Sequence, residues 1–209
     1  MKAGKVLLLG TFLGLIGICS VSAIQTDVEV DAISQATDTS PANGETITIN
    51  GKEVHTIGKM IRKGKNAPDF TAVKSDLTES SLLDYKGKKI VLNIFPSLDT
   101  PICATSVRKF NEMASKLNNT VVLCLSKDLP FAMSRFCTTE GLKNVVPLSL
   151  YRSKDFPKKY RMIMADGPLK GLTPRAVIII SEKGEIVYTE LVKELKTEPD
   201  YEAALQALK

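Results

Sequence analysis

The 209-residue sequence contains one histidine, no tryptophan and only four cysteines, and aromatic residues make up 6% of it. A single His, at position 55, excludes a metal site built on two imidazoles and sends any His-dependent mechanism through His55. The four cysteines include no Cys-x-x-Cys pair, the usual signature of disulfide exchange: Cys103-Ala-Thr-Ser106 has Ser in the second place. Cysteine is also too sparse for a disulfide-dense miniprotein. With 44% apolar and 24% charged residues, the composition is neither disordered nor collagen-like. The length suits one domain with a real core plus an appendage.

The appendage comes first. Lys2 and Lys5 precede an apolar run from Val6 to Ile18, and small residues follow to Val21-Ser22-Ala23. A basic start, a short apolar stretch and a small-residue end predict an export signal over residues 1–23. The run is shorter than the roughly 20 residues that span a bilayer. Cys19 is either an apolar residue of a discarded peptide or a lipid-bearing anchor, and membrane attachment is expected only in the second case. The expected location is the periplasm or cell envelope of a bacterium, or the cytoplasm if the segment does not act as a signal.

Residues 24–45 contain Asp27, Glu29, Asp31, Asp38 and Glu45 but no Lys or Arg, which predicts an acidic, solvated linker. The remaining domain, 46–209, holds 26 of the 28 basic and 18 of the 23 acidic residues, a net +8. Its lysines are scattered and not interleaved with aromatics, so no nucleic-acid partner is expected.

Within that domain, Thr46 to Ile57 alternates apolar and polar residues around Asn50-Gly51, a hairpin with a tight turn. His55 falls on its second strand as an exposed residue. Lys89 to Phe95 and Val121 to Ser126 are apolar runs of strand length. Between them Val107, Phe110, Met113 or Ala114, and Leu117 recur at helical spacing. Asp128 is placed to cap a helix that starts near Pro130 and stops at Gly141. Ala176–Ile180 and Glu185–Glu190 flank a turn at Glu182-Lys-Gly184, and a last helix from Asp200 to Leu208 is capped by Thr197 or Asp200. This order predicts an α/β, thioredoxin-like sandwich: a central mixed sheet flanked by helices, with an N-terminal β-hairpin.

Three cysteines lie in the domain. Cys124, between Leu123 and Leu125, reads as core. Cys103 lies at a helix start, where unpaired N–H groups and the positive dipole end favour thiolate. Thr100, three residues earlier, can place a hydroxyl near the sulfur while helping to cap the helix. Pro96 and Pro101 stiffen the approach and limit water. The same spacing also fits an ordinary helix start with a buried Cys. Cys137 lies in the next helix among polar neighbours, so partial exposure is expected. A 103–137 disulfide would be either a static staple or a switch that needs local unfolding, because the Cα atoms must come within about 7 Å.

The stretch Phe95-Pro-Ser-Leu-Asp-Thr-Pro-Ile-Cys-Ala-Thr-Ser-Val-Arg-Lys-Phe110 resembles the active-site loop of peroxiredoxins, in which Pro, Thr or Ser, and Cys recur at fixed spacing. Leu129 to Cys137, Asp166 to Gly171 with Arg175, and Thr197 to Ala204 resemble the thiol peroxidase subfamily, of the atypical two-cysteine type. The resemblance runs from about Thr46 to the C-terminus. It implies a peroxidatic Cys103 and a resolving Cys137, with Thr100 and Arg175 beside the reacting sulfur and Pro96 shielding the pocket. It implies reduction of hydrogen peroxide and organic hydroperoxides, no cofactor and no metal, recycling by a thioredoxin-like dithiol, and a homodimer. Pro101 departs from the pattern, which has a small residue there, often Gly. Without the resemblance, Arg175 reads as a strand-start residue in a surface ion pair. Two other readings compete: a thioredoxin-fold disulfide oxidoreductase, and a non-catalytic secreted binding module with a permanent 103–137 staple.

Overall fold

The computed structural model describes residues 44–209. The export signal, Cys19 and all but the end of the acidic linker lie outside the described residues. The hairpin forms as expected: β1 (Thr46–Ile49) and β2 (Lys52–His55) pair antiparallel, with Ile47 opposite Val54. Asn50 and Gly51 take φ of +54° and +74°, the left-handed pair that a two-residue hairpin turn requires.

Seven further strands form one mixed sheet. In chain order they are β3 (Thr71–Val73), β4 (Glu79–Ser81), β5 (Lys89–Ile94), β6 (Thr120–Ser126), β7 (Val145–Ser149), β8 (Ala176–Ile180) and β9 (Ile186–Leu191), in spatial order β4-β3-β7-β6-β5-β8-β9. β5, β6 and β7 run parallel, and β8 joins β5 antiparallel. The helices are α1 (Pro101–Ala114), α2 (Pro130–Thr139), α3 (Asp155–Tyr160) and α4 (Tyr201–Ala207).

Period-2 alternation divides the central strands between two cores. Ile90, Leu92, Ile94, Leu123, Leu125, Ile178 and Ile180 face a core closed by Phe70 and by Phe156 and Tyr160 of α3. Val91, Val122, Cys124, Val177 and Ile179 face the other, closed by Cys103, Val107 and Phe110 of α1, Met133 of α2 and Ala204 of α4. This is the thioredoxin-like sandwich with an N-terminal hairpin, and Cys124 is core as expected, 1% exposed.

Two local expectations change, and one left open between two residues is decided. Asp128 does not cap α2, whose N-cap is Leu129 and has no side-chain bond. The Asp128 carboxylate instead accepts from the Leu98 N–H and the Ser126 hydroxyl, both at 2.8 Å, and so ties the loop before α1 to the end of β6. His55 is not a free surface residue. It is half-buried, and both its N–H and Nδ1 lie 2.7 Å from Asp166 carboxylate oxygens, clipping the hairpin to the domain. The last helix is capped by Asp200, whose carboxylate accepts from the Ala203 N–H at 2.9 Å.

Candidate active site

The β5–β8 register builds the site. Ile94 pairs with Ala176, so Arg175 stands just beyond the end of β5, where the chain turns through Phe95-Pro96 toward α1. The Thr173 hydroxyl donates to the Phe95 carbonyl at 2.5 Å and fixes that approach. Arg175 is thereby brought to Cys103, 72 residues away in sequence.

Cys103 lies in the first turn of α1 and is fully buried. Pro101 occupies the first helical position, where its missing N–H costs no helical bond and its fixed φ suits the helix. Thr100 has the extended backbone of an N-cap, but its hydroxyl makes no capping bond. It lies instead 2.8 Å from the Cys103 sulfur and 3.0 Å from the Ser97 carbonyl, so only half of the expectation for Thr100 holds. Its proton can serve the sulfur or the carbonyl, one at a time.

Arg175 is 2% exposed, which replaces the surface ion pair that its position alone suggests. Its Nε and one terminal nitrogen donate to the Leu195 carbonyl at 3.1 and 3.0 Å, and the same terminal nitrogen lies 3.4 Å from the Cys103 sulfur. The other terminal nitrogen is buried and has no partner among the described residues. No carboxylate pairs with this guanidinium among the described residues. A buried guanidinium with no carboxylate in contact is costly to hold, and it sets a positive charge 3.4 Å from the Cys103 sulfur. The Arg175 guanidinium, the Thr100 hydroxyl and the start of α1 thus converge on one sulfur.

Thr100 and Arg175, the two groups that touch the sulfur, line a cavity of about 390 Å³. Ile49, Pro96, Ile102, Leu169 and Leu195 give it apolar walls, and Lys196 stands at its edge. Pro96, Thr100 and Arg175 thus share one cavity wall, and Cys103 lies against Thr100 and Arg175. Cys137 is placed separately, in the last turn of α2, half-buried beside the core that holds Phe136 and Leu142. Burial pushes its thiol pKa up, so the packed Cys137 is a poorer nucleophile than an exposed one. Cys103, Cys124 and Cys137 are all free thiols. Arg108 of α1 clasps the end of α2 through both oxygens of Glu140, at 2.8 Å each.

Reading the sequence missed two parts of this site. The Leu195 carbonyl that orients Arg175 is a main-chain atom with no residue signature. The hairpin's contribution of Ile49 to the cavity is visible only once the fold brings residues 49 and 195 together.

A thioredoxin-like sheet with a buried, arginine-contacted thiol at a helix start defines a thiol-dependent redox protein. Residues 62–205 match the Redoxin family. The thiol peroxidase of Corynebacterium glutamicum is 53% identical over 158 residues, 76% of this chain and 95% of that protein. That of Mycobacterium bovis is 50% identical over 162 residues, 78% and 97% of the two chains. Among solved structures, a peroxiredoxin-like protein from Aquifex aeolicus superposes with a TM-score of 0.74 at 35% identity, covering 79% of this chain and 97% of its own. This chain belongs to the thiol peroxidase subfamily of the peroxiredoxins.

Proposed function

We propose that this peroxidase reduces hydrogen peroxide and organic hydroperoxides with Cys103 as the peroxidatic thiol and Cys137 as the resolving thiol. The observation that carries the assignment is the Cys103 sulfur, held between the Thr100 hydroxyl and the Arg175 guanidinium, which themselves line an apolar-walled cavity.

The Cys103 thiolate attacks one peroxide oxygen. An S–O bond forms, the O–O bond breaks, and two electrons pass from sulfur to the peroxide. The leaving alkoxide or hydroxide takes a proton and departs as alcohol or water, and Cys103 becomes a sulfenic acid. The unpartnered Arg175 nitrogen and the Thr100 hydroxyl are placed to hold charge on the oxygens as the bond breaks. Apolar walls keep competing water away and suit an alkyl group. The Cys137 thiolate then attacks the Cys103 sulfur: an S–S bond forms, the S–O bond breaks, and the departing hydroxide is protonated to water. A thioredoxin-like dithiol restores both thiols through two exchange steps.

The second step needs movement, because Cys137 is packed on a different helix. α2 buries only Pro130 and Met133, against Cys103, Ala104, Ser106, Val107 and Phe110 in α1. Opening the end of α2 is therefore the lower-cost motion. It also exposes Cys137 and relieves the burial that suppresses its thiolate. Pro101, preorganised at the first position of α1, holds the Cys103 turn in place until then.

Arg175→Met tests the assignment. It keeps an apolar stem and removes the charge and donors, so the rate of Cys103 oxidation under single-turnover conditions is expected to fall about 10²–10³-fold. A rate within threefold of the parent, roughly 0.7 kcal/mol in barrier, would remove Arg175 from the reaction.

Two further readings belong to this proposal. The exposed Leu129 and Phe131 at the start of α2 supply apolar surface for a homodimer, and a monomeric sedimentation coefficient at micromolar concentration would contradict it. Residues 1–23 direct export, on the strength of the basic, apolar and small-residue order of that segment. Recovery of chains beginning near Ile24 is expected, and recovery of only full-length chains from the envelope fraction would contradict a cleaved signal.

A further inference from the structure

The N-terminal hairpin reaches the reactive thiol through a short series of contacts. Thr48 of β1 lies along residues 193–195: its N–H donates to the Lys193 carbonyl at 2.6 Å, and the Leu195 N–H donates to the Thr48 carbonyl at 2.9 Å. Between these bonds Glu194 turns its carboxylate onto the hairpin. Oε2 accepts from the Thr48 hydroxyl at 2.8 Å and the Gly51 N–H at 3.2 Å. Oε1 accepts from the N–H groups of Asn50 and Lys196, each at 3.2 Å. Consecutive left-handed residues at 50 and 51 present their amides together, a small nest that receives an anion. The Thr48 hydroxyl, followed by the Gly51 amide, holds the Glu194 carboxyl down at about 2, so it stays charged through the neutral range.

We propose that Glu194 is a positioning residue for the peroxidase reaction: by clasping the hairpin turn it fixes the 193–195 segment, and with it the Leu195 carbonyl that aims Arg175 at Cys103. Both Arg175 bonds away from the sulfur converge on that one oxygen. The guanidinium therefore follows the oxygen, and a drift of about 1 Å takes its nitrogen off a sulfur already 3.4 Å away. The Leu195 side chain packs with Ile47, Val54 and Met164, which keeps the segment near the hairpin when the clasp is lost but does not fix the carbonyl direction. This inference rests on the roles of Cys103 and Arg175 proposed above.

Glu194→Ala and Thr48→Val, each in the reduced full-length chain and again combined with Arg175→Met, test it. One readout is the single-turnover rate of Cys103 oxidation by hydrogen peroxide. The other is the pH profile of Cys103 alkylation by iodoacetamide, followed by peptide mass. With Arg175 present, Glu194→Ala is expected to slow oxidation about tenfold and Thr48→Val about threefold, consistent with a small displacement of the guanidinium. The alkylation profile moves to higher pH with its high-pH plateau unchanged. In the Arg175→Met background, both substitutions are expected to be silent, because the group they position is gone. An unmoved alkylation profile, or an equal loss of rate in both backgrounds, overturns the inference and leaves a merely structural hairpin clasp. If Glu194→Ala does not fold, Thr48→Val decides the question, since its main-chain bonds are kept. A parent chain whose Cys103 does not react with peroxide defeats the proposed function instead, so the two failures are distinct.

Discussion

A chain carrying Cys103→Ser is expected to consume peroxide no faster than the uncatalysed reaction while remaining folded. The reaction requires an atom that can give two electrons to an O–O bond and end as an oxidised, condensable species. Sulfur has that ladder of states and a serine oxygen does not. The substitution is mild for the fold. The Cys103 side chain is fully buried, but its two neighbours, Thr100 and Arg175, are hydrogen-bond donors. A serine oxygen still accepts from them, so stability should change by only about 1 kcal/mol. Peroxide loss followed alongside the thermal midpoint checks both halves. Sustained consumption by the folded variant would move the chemistry to another residue, with Cys137 the first to consider and the fully buried Cys124 the last.

Cys137→Ser has the second large effect, and a different form. Cys103 still meets peroxide in its own pocket, but no thiol on α2 can condense with the sulfenic acid. Peroxide consumption should stop at one equivalent per chain when only a thioredoxin-type dithiol is supplied, or at two where excess peroxide carries Cys103 on to the sulfinic acid. Cys103 should then accumulate as sulfenic acid, and as sulfinic acid under excess peroxide. The packing of Cys137 makes this more than a formality. Its thiol is half-buried and its pKa is raised by that burial, so in the packed state it resembles a structural cysteine. What distinguishes a resolving thiol is the ease of opening the helix end that carries it. Steady turnover in Cys137→Ser would show that the reductant reaches Cys103 directly and that α2 need not open.

The parts of this molecule that could be read from its residues are those governed by short-range periodicity. β5 and β6 were legible as apolar runs, α1 by its 3.6-residue spacing, and the hairpin by Asn50-Gly51. β7 was not. Its Val-Val-Pro-Leu-Ser run contains Pro147, which argues against an interior strand. The fold tolerates it because β7 meets β3 only at Val73–Ser149, which leaves the outer edge of Pro147 without a strand partner. α3 is six residues long with Pro157 inside it, and β3 and β4 are three residues each, too short for a period to show.

The candidate site divides along the same line. Cys103, Thr100 and Pro96 lie within one loop and helix start, so their grouping follows from local sequence. Arg175 joins them only through the β5–β8 register, and nothing in Thr-Pro-Arg before a strand announces a buried guanidinium. Its partner is a backbone oxygen, and the clasp that steadies this oxygen spans residues 48 to 195. Long-range main-chain contacts leave no pattern to read. Family resemblance carried Arg175 forward, and the fold supplies its physical reason.

One peroxide is expected to oxidise Cys103, and Cys137 to resolve it within the same chain. The most direct measurement is the mass of the fully reduced protein before and after one equivalent of hydrogen peroxide, with the oxidised product digested and mapped without reduction. The expected result is a loss of two hydrogens per chain and a single cross-linked peptide pair joining Cys103 to Cys137, with Cys124 still a free thiol. An oxidised product whose cross-link involves Cys124, or joins two chains, or that gains oxygen at Cys103 with Cys137 unmodified, would contradict it.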